Sequence, residues 1–265
     1  YSTYILNDYN KEPERKIFGF YRKDELQSLI ERRNIRESLS SALSKIDNNI
    51  INRVYQQTGV TKAIETFYEN RRKALLVMAT GSGKTRTAIA LVKALMESQN
   101  VKRVLFLADR VNLVEQARDN FAKLYPSTTT ANVLEKVSDE GRDLNARIIF
   151  STYQSMMGLI EQKRADGTDL FGVGHFDLII VDESHRSLYN KFGILFEYFD
   201  SMLLGLTATP KRELGINTFK TFELPNDEPT HSYDLYKAIG DNFLVPPKAI
   251  SIDLKLPNEG IVYDE

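Results

Sequence analysis

The stretch Ala74-Leu-Leu-Val-Met-Ala-Thr-Gly-Ser-Gly-Lys-Thr85 joins an apolar run to a glycine-rich turn, and an amphipathic segment from Arg86 to Met96 follows. The apolar run predicts a buried strand, and the segment after the turn predicts a helix. Glycines at 81 and 83 let backbone N–H groups surround an anion, and a helix beginning at Lys84 points its partial positive end at the same place. The arrangement predicts a phosphate-binding loop.

Each residue of the predicted loop has a role that follows from its chemistry. Lys84 can reach terminal phosphates, and the hydroxyl of Thr85 can bind Mg²⁺. Met78 stands where the full pattern has Gly or Ala, a departure that leaves the mechanism intact. A glycine-rich turn without a ligand is the alternative. The predicted nucleotide-binding residues are Thr80, Gly81, Ser82, Gly83, Lys84 and Thr85.

Around the loop, apolar runs alternate with helical patterns over about 140 residues. This order predicts an α/β fold, with a parallel sheet flanked by helices and a short helical N-terminal flank. Polar stretches at 126–142 and 162–174 predict surface loops. Further strands are predicted at Arg103–Ala108, Arg147–Ser151, Phe176–Val181 and Met202–Thr207, and further helices at Val111–Leu124 and near Tyr153–Ile160.

Composition excludes several classes of protein. The chain has 265 residues, of which 42% are hydrophobic and 27% charged, as in ordinary globular domains. The formal net charge of −1 means that any nucleic-acid site must be local, and the absence of Cys excludes disulfides and thiol chemistry. No apolar run is long enough for a membrane span. The absence of Cys suits a reducing cytoplasm, so we expect a cytoplasmic protein. Because the chain begins at Tyr1 with neither an initiator Met nor a signal sequence, we expect a piece of a longer protein.

Two adjacent acids follow the predicted strand at 176–181, in the sequence Asp182-Glu183-Ser184-His185. Acids at the carboxyl end of a buried strand are costly unless they serve a cation or a substrate. Asp182 is therefore a candidate Mg²⁺ ligand, and Glu183 a candidate base that activates a water. The alternative is an N-cap Asp followed by a first-turn Glu.

Together with Thr207-Ala208-Thr209-Pro210, the loop and the acidic motif stand in the order of motifs I, II and III of superfamily 2 helicases. Four stretches of the sequence are similar to the motor (R) subunit of type I restriction-modification enzymes: 74–88, Arg103–Arg110, Phe150–Gln154 and Gly174–Glu183. The resemblance covers the chain from about Ile17 onward. Ser184 stands where that family usually has Ala.

The resemblance implies roles for further residues. Gln56 looks like the family's adenine-reading glutamine, with Gln57 as a competitor and a solvent-facing residue as the alternative. His185 would couple hydrolysis to movement through Thr207 and Thr209; a buried structural histidine is the alternative. Exposed ends of two strands would face DNA, although Arg110 is equally explained as a surface charge at a helix start. The implied DNA-facing residues are Arg110, Ser151, Thr152, Tyr153 and Gln154.

The resemblance also implies the function and the organisation of the chain. It implies an ATP hydrolase that uses MgATP to translocate on double-stranded DNA, partnered by methyltransferase and specificity subunits. Residues 1–50 would be a flank, 51–225 the first RecA-like domain, and 226–265 a connector toward a second such domain that supplies arginine fingers. The strand ending at Thr207 should lie between the phosphate-loop strand and the strand ending at Val181.

Neither Glu161-Gln-Lys163 nor Asp253-Leu-Lys255 is interpreted as a nuclease motif, because a lone acid-x-Lys arises often by chance. Two other functions remain open. The chain could be another superfamily 2 helicase, or a nucleotide-gated docking domain that does not turn over ATP. Intact Lys84 and Glu183 argue against the docking domain.

Overall fold

The structure is a computed structural model, and it describes residues 4–6, 14–133, 144–182, 187–210, 212–213 and 216–246. Within these ranges, seven strands form one parallel sheet in the order β11-β3-β8-β7-β4-β6-β5. The strands of the sheet are β3 (Lys73–Met78), β4 (Val104–Ala108), β5 (Thr130–Asn132), β6 (Ile148–Thr152), β7 (Leu178–Asp182), β8 (Met202–Thr207) and β11 (His231–Tyr233). Two antiparallel pairs lie outside it: β1 (Tyr4–Leu6) with β2 (Arg15–Ile17), and β9 (Arg212–Glu213) with β10 (Ile216–Asn217).

Helices connect the strands and cover both faces of the sheet. They are α1 (Lys23–Ile35), α2 (Leu39–Ser44), α3 (Val54–Tyr68), α4 (Lys84–Glu97), α5 (Val111–Leu124), α6 (Tyr153–Ile160), α7 (Ser187–Tyr198), α8 (Thr218–Thr221) and α9 (Leu235–Gly240). A 3-10 turn spans Pro225–Asp227. No helix in the described ranges combines the length and apolarity that a bilayer crossing requires.

Alternation along the strands divides the core into two layers. Leu76, Phe106 and Ile180 pack into the layer that contains α3, α4 and α5. Their neighbours Val77 and Leu105 pack on the other side, with α6 and α7. Successive side chains of a strand point to opposite faces, so a strand covered on both sides must be apolar throughout. This is why the predicted strands read as continuous apolar runs.

The fold class predicted from the sequence is confirmed. The five predicted strands and three predicted helices are present, and Val111–Leu124, Tyr153–Ile160 and Met202–Thr207 have the predicted bounds. The predicted position of β8 is also confirmed, because it pairs with β3 on one side and with β7 on the other. The parallel register follows from helical crossovers between successive strands.

Three expectations need correction. The predicted loop at 126–142 contains the edge strand β5, and the predicted surface loop at 162–174 buries Phe171 and Val173. The expected connector at 226–265 contributes β11 to the sheet, beside the phosphate-loop strand. β5 and β11 have three residues each, so they carry too few side chains for a periodic signal.

The N-terminal flank forms helices, as expected, and a buried carboxylate ties the flank to the sheet. Arg15 donates to both oxygens of Asp200 at 2.6 and 2.8 Å, and Tyr21 donates its hydroxyl to the same group. The Asp200 pKa is lowered overall: burial opposes this, but the hydrogen bonds and nearby guanidinium charges outweigh it. Helix α1 is only partly buried, because Leu26 is 47% exposed and Ile30 48% exposed.

Two buried histidines give the chain a predicted acid sensitivity. Burial, followed by the charge of Arg103, lowers the pKa of His175 to about 3. Burial, followed by the charge of Lys62, lowers the pKa of His231 to about 4. Because the unfolded chain binds protons at these sites near pH 6.5 and the folded chain does not, stability should fall as the pH drops below that value. The slope is about 1.4 kcal/mol per pH unit for each histidine.

We expect His175→Phe to remove about half of this pH dependence between pH 6.5 and 4.5, measured as the free energy of urea unfolding. Phenylalanine suits the site because the His175 ring lies 4.8 Å from Phe171 and 4.7 Å from Phe176. Comparison with the parent chain cancels the opposite contribution of Glu25, whose pKa is raised by burial. An unchanged slope in the variant would show that His175 is protonated in the folded chain.

Candidate functional site

Three motifs meet at the carboxyl edge of the sheet. The predicted phosphate loop (79–85) follows β3, Asp182 ends β7, and Thr207 ends β8 between them. Thr207 pairs in register with Val77, and Asp182 pairs with Leu206. Ligands of open α/β sheets bind outside the carboxyl ends of the strands. The topology therefore brings the separated motifs to one candidate site.

The phosphate loop has the backbone that its glycines predict. Gly81 and Gly83 have φ angles of 81° and 93°, a left-handed conformation that suits glycine. Ser82 closes the turn by donating its backbone N–H to the Ala79 carbonyl at 3.1 Å and its hydroxyl to the same oxygen at 2.6 Å. Gly83 is the N-cap of α4, so the first N–H groups of that helix open toward the loop.

Two side chains of α3 hold the loop at the Ser82 carbonyl. The Tyr55 hydroxyl donates to this oxygen at 2.7 Å, and Gln56 Nε2 donates to it at 3.0 Å. Gln56 is only 4% exposed, and a Cβ added at Gly83 would lie 2.5 Å from its Nε2. A side chain at Gly83 would therefore displace the Gln56 amide, in addition to straining the left-handed φ angle. The neighbouring Gln57 is bonded to Asn48 instead.

An aromatic cluster connects this anchor to the chain after β11. The rings of Tyr55 and Tyr233 are stacked, with centroids 3.7 Å apart and planes 7° apart. Phe243 meets the Tyr55 ring edge-on, and the Arg53 guanidinium lies 4.7 Å from the Phe243 ring centroid. Burial, then the hydrogen bond to Asp241, raises the pKa of Tyr233 to about 12, so its hydroxyl stays protonated.

The oxygen donors at this edge fit a hard divalent cation. Thr85 lies in the first turn of α4 and Asp182 at the end of β7, and both are partly exposed rather than buried. Hydroxyl and carboxylate oxygens are ligands that Mg²⁺ prefers in proteins. Within the described ranges, no three His, Asp or Glu side chains form a further metal cluster.

The two remaining acid-motif candidates, Glu183 and His185, lie outside the described residues. Their expected partners are described in part. Thr207 is fully buried, and its hydroxyl accepts the backbone N–H of Thr209 at 3.2 Å, while Thr209 is exposed. The side chain of Thr207 thus fixes the turn that leaves β8.

The five predicted DNA-facing residues divide into two groups. Ser151, Thr152 and Tyr153 are at most 5% exposed, and their hydroxyls are bonded to protein atoms. Arg110 is 80% exposed and lies 3.6 Å from the Asp109 carboxylate, and Gln154 is exposed at the start of α6. Only Arg110 and Gln154 therefore have side chains that can reach a ligand without leaving buried contacts.

Sequence reasoning missed the residues that fasten the loop from outside it. Neither Tyr55, which precedes Gln56, nor Phe243 is among the residues predicted from the sequence. The contacts join residues almost 180 positions apart, so no local periodicity can indicate them. The signal available was a Tyr next to the predicted adenine-reading residue.

Comparison with known proteins places this site in a family. A family model described as type III restriction enzyme, res subunit, matches residues 49–212, which include the phosphate loop, Asp182 and Thr207. The chain is 35% identical over 212 residues to the type I restriction enzyme EcoAI endonuclease subunit of Escherichia coli, a match that covers 78% of this chain and 25% of that protein. The EcoKI endonuclease subunit of Escherichia coli strain K12 is 30% identical over 234 residues, covering 79% and 19%. The chain thus spans a quarter or less of these relatives.

Solved structures agree on the fold. A fragment assigned to the HsdR subunit of a type I restriction enzyme from Vibrio vulnificus YJ016 superposes with a TM-score of 0.58 at 26% identity, covering 92% of this chain and 42% of that one. A nuclease-deletion mutant of the Type ISP restriction-modification enzyme LlaGI, solved with a DNA substrate mimic, has a TM-score of 0.51 at 22% identity, covering 72% and 20%. The second likeness concerns the fold alone.

Proposed function

Because the chain belongs to the ResIII family, whose model is described as type III restriction enzyme, res subunit, we propose that it binds and hydrolyses MgATP to drive movement on double-stranded DNA. In this proposal the chain is the first RecA-like motor domain of a type I restriction enzyme. One observation carries it: β8 lies between β3 and β7, which brings the phosphate loop, Thr207 and Asp182 to one edge. The similarity to type I endonuclease subunits supports the choice of enzyme class.

The residues of the loop bind and orient the nucleotide. The backbone N–H groups of 80–85 and the α4 N-terminus face the phosphates, and Lys84 neutralises the terminal ones. Gln56 presents amide donor and acceptor groups to adenine, which requires its Nε2 to share or leave the Ser82 carbonyl. The loop and the base-reading residue are therefore physically connected.

Hydrolysis requires a base, a metal and charge stabilisation. Glu183 accepts a proton from the attacking water, and it directly follows Asp182, the last residue of β7. Thr85 and Asp182 would hold Mg²⁺, which when bound neutralises charge on the phosphate oxygens. Arginine fingers from a second RecA-like domain complete the site, and His185, Thr207 and Thr209 transmit the change to the DNA-facing surface.

DNA contact is proposed for the exposed ends of β4 and β6. Arg110 and Gln154 reach the phosphates of one strand by their side chains, while Ser151, Thr152 and Tyr153 position the backbone of that turn. Methyltransferase and specificity subunits are the proposed protein partners, in a cytoplasmic complex. These assignments rest on the family, because the chain spans only part of its relatives.

Calorimetric titration of MgATP, followed by phosphate release with and without linear duplex DNA, tests this function. We expect nucleotide binding by the chain itself and DNA-stimulated release once a second RecA-like domain is present. Stimulation by duplex without strand separation would distinguish a translocase from a strand-separating helicase. Binding without turnover in the two-domain protein would instead support a nucleotide-gated docking domain.

Tyr55→Phe is expected to weaken MgATP binding about two- to tenfold without changing the fold. The variant removes one hydrogen bond to the Ser82 carbonyl, which contributes about 0.5–1.5 kcal/mol, but it keeps the stack on Tyr233. Calorimetry measures the affinity, and thermal unfolding measures the fold. Tyr236→Phe is the matched control, since Tyr236 is 87% exposed. Equal affinities in the two variants would show that Tyr55 does not position the loop.

A further inference from the structure

A cavity of about 90 Å³ lies at the edge of the sheet opposite the phosphate loop. Arg72, Asp177 and Met202 line it from the amino-terminal ends of β3, β7 and β8, and the last turns of α1, α3 and α4 surround it. A single buried water needs only about 10–15 Å³, so the cavity has room for a larger group. It does not belong to the site described above.

The lining of this cavity is strongly cationic. Two aspartates, Asp177 and Asp200, face six guanidinium groups, whereas the whole chain carries a formal charge of only −1. Arginines therefore outnumber aspartates among the described residues of the lining, where Arg71 also pairs with Glu69. The six lining arginines are Arg15, Arg32, Arg33, Arg36, Arg71 and Arg72.

Both carboxylates are already engaged in the fold. Asp200 accepts from Arg15 and Tyr21, and also from Arg72 at 2.8 Å. Asp177 accepts the backbone N–H groups of Lys102 and Arg103 at 2.7 and 2.9 Å, and it forms an ion pair with Arg32. The two carboxylates have little remaining capacity to neutralise Arg36 and Arg71.

Arg36 and Arg71 are held only loosely at the rim. Arg36 is exposed, with its guanidinium carbon 5.6 Å from the Tyr68 ring centroid. Arg71 pairs with Glu69, but the two side chains are 49% and 57% exposed, and such surface pairs contribute little. Both guanidinium groups can therefore turn toward a ligand at low cost.

We propose that this arginine-lined cavity binds a phosphate group, carried by a nucleic-acid backbone or by a free nucleotide. Guanidinium groups donate paired hydrogen bonds to phosphate oxygens. Phe67, Leu95 and Met202 contribute apolar surface to the same lining. The competing explanation is that basic side chains stabilise the carboxyl ends of helices. That explanation accounts for Arg32 and Arg33, in the last turn of α1, and for Arg36 at its C-cap, while Asp200 pairs with Arg15 and Arg72. Neither accounts for Arg71 in the lining.

The test uses the Lys84→Ala variant of the chain, in which the phosphate loop no longer binds nucleotide tightly. Binding of pyrophosphate to this variant is measured by calorimetry at low salt. We expect Arg36→Gln combined with Arg71→Gln to weaken pyrophosphate binding by about tenfold or more, since charge-assisted bonds are lost. The charge-matched control is Lys123→Gln combined with Arg147→Gln, two exposed positions outside the lining, and it should bind within about twofold of the parent. Thermal unfolding checks that all three proteins are folded.

A second arm distinguishes the two sources of phosphate. Anisotropy of a short labelled duplex, measured on the same variants, should lose affinity in the arginine variant if the ligand is a nucleic-acid backbone. Loss confined to pyrophosphate and free nucleotide would identify a small ligand instead. No pyrophosphate binding in the Lys84→Ala chain, or equal binding of both probes by the arginine and control variants, would overturn the proposal and leave the arginines a structural role. Because the phosphate loop is silenced throughout, this result does not depend on the proposed motor function.

Discussion

Lys84→Ala should weaken MgATP binding by roughly 100-fold or more while leaving the fold intact. Lys84 opens α4 directly after the glycine turn, and no other cationic side chain belongs to the loop at 79–85. Its charge-assisted bonds to terminal phosphates cannot be replaced by backbone N–H groups, which remain in place after the change. Titration calorimetry with MgATP measures the loss directly.

The matched control for this experiment is Lys62→Ala, which removes an exposed lysine from α3. It should bind MgATP as the parent chain does, and both variants should unfold at the parent temperature within a few degrees. Unchanged nucleotide affinity in a folded Lys84→Ala chain would refute the phosphate-loop assignment. The loss of folding in that variant is not expected, because Lys84 is partly exposed.

Glu183→Gln should lower ATP turnover by roughly two orders of magnitude or more in a motor that contains both RecA-like domains. Glutamine keeps the size and polarity of the side chain but cannot accept the proton of the attacking water. MgATP binding should stay within about tenfold of the parent, because the proposed metal ligands Thr85 and Asp182 are unchanged. Steady-state phosphate release and calorimetry separate these two effects.

Glu115→Gln, an exposed acid of α5, serves as the control for charge removal and should leave turnover unchanged. If hydrolysis by Glu183→Gln stays near the parent rate, another group activates the water. If binding is lost instead, Glu183 is a metal ligand. Either outcome would change its role while leaving the nucleotide site itself in place.

The sequence by itself determined the elements that carry their signal locally. A strand covered on both faces must be apolar along its whole length, so the five central strands could be predicted from short continuous runs of apolar residues. The glycine turn between β3 and α4 was predictable for a different reason: residues 81–85 are contiguous, and a buried strand precedes them and a helix follows them. The resemblance to type I restriction-enzyme motor subunits then implied the position of β8 between β3 and β7, which the strand pairing confirms.

Tertiary structure decided everything that depends on contacts between distant parts of the chain. β11 is a strand because its three residues pair with the free edge of β3. Tyr55 is positioned to bond the Ser82 carbonyl because the Tyr233 ring stacks on the Tyr55 ring. The arginine-lined cavity likewise assembles side chains of the flank and of the turn before β3, residues that no window of sequence contains together. Hydrogen bonds and charges act over a few ångströms in space, whereas sequence patterns report only neighbours along the chain.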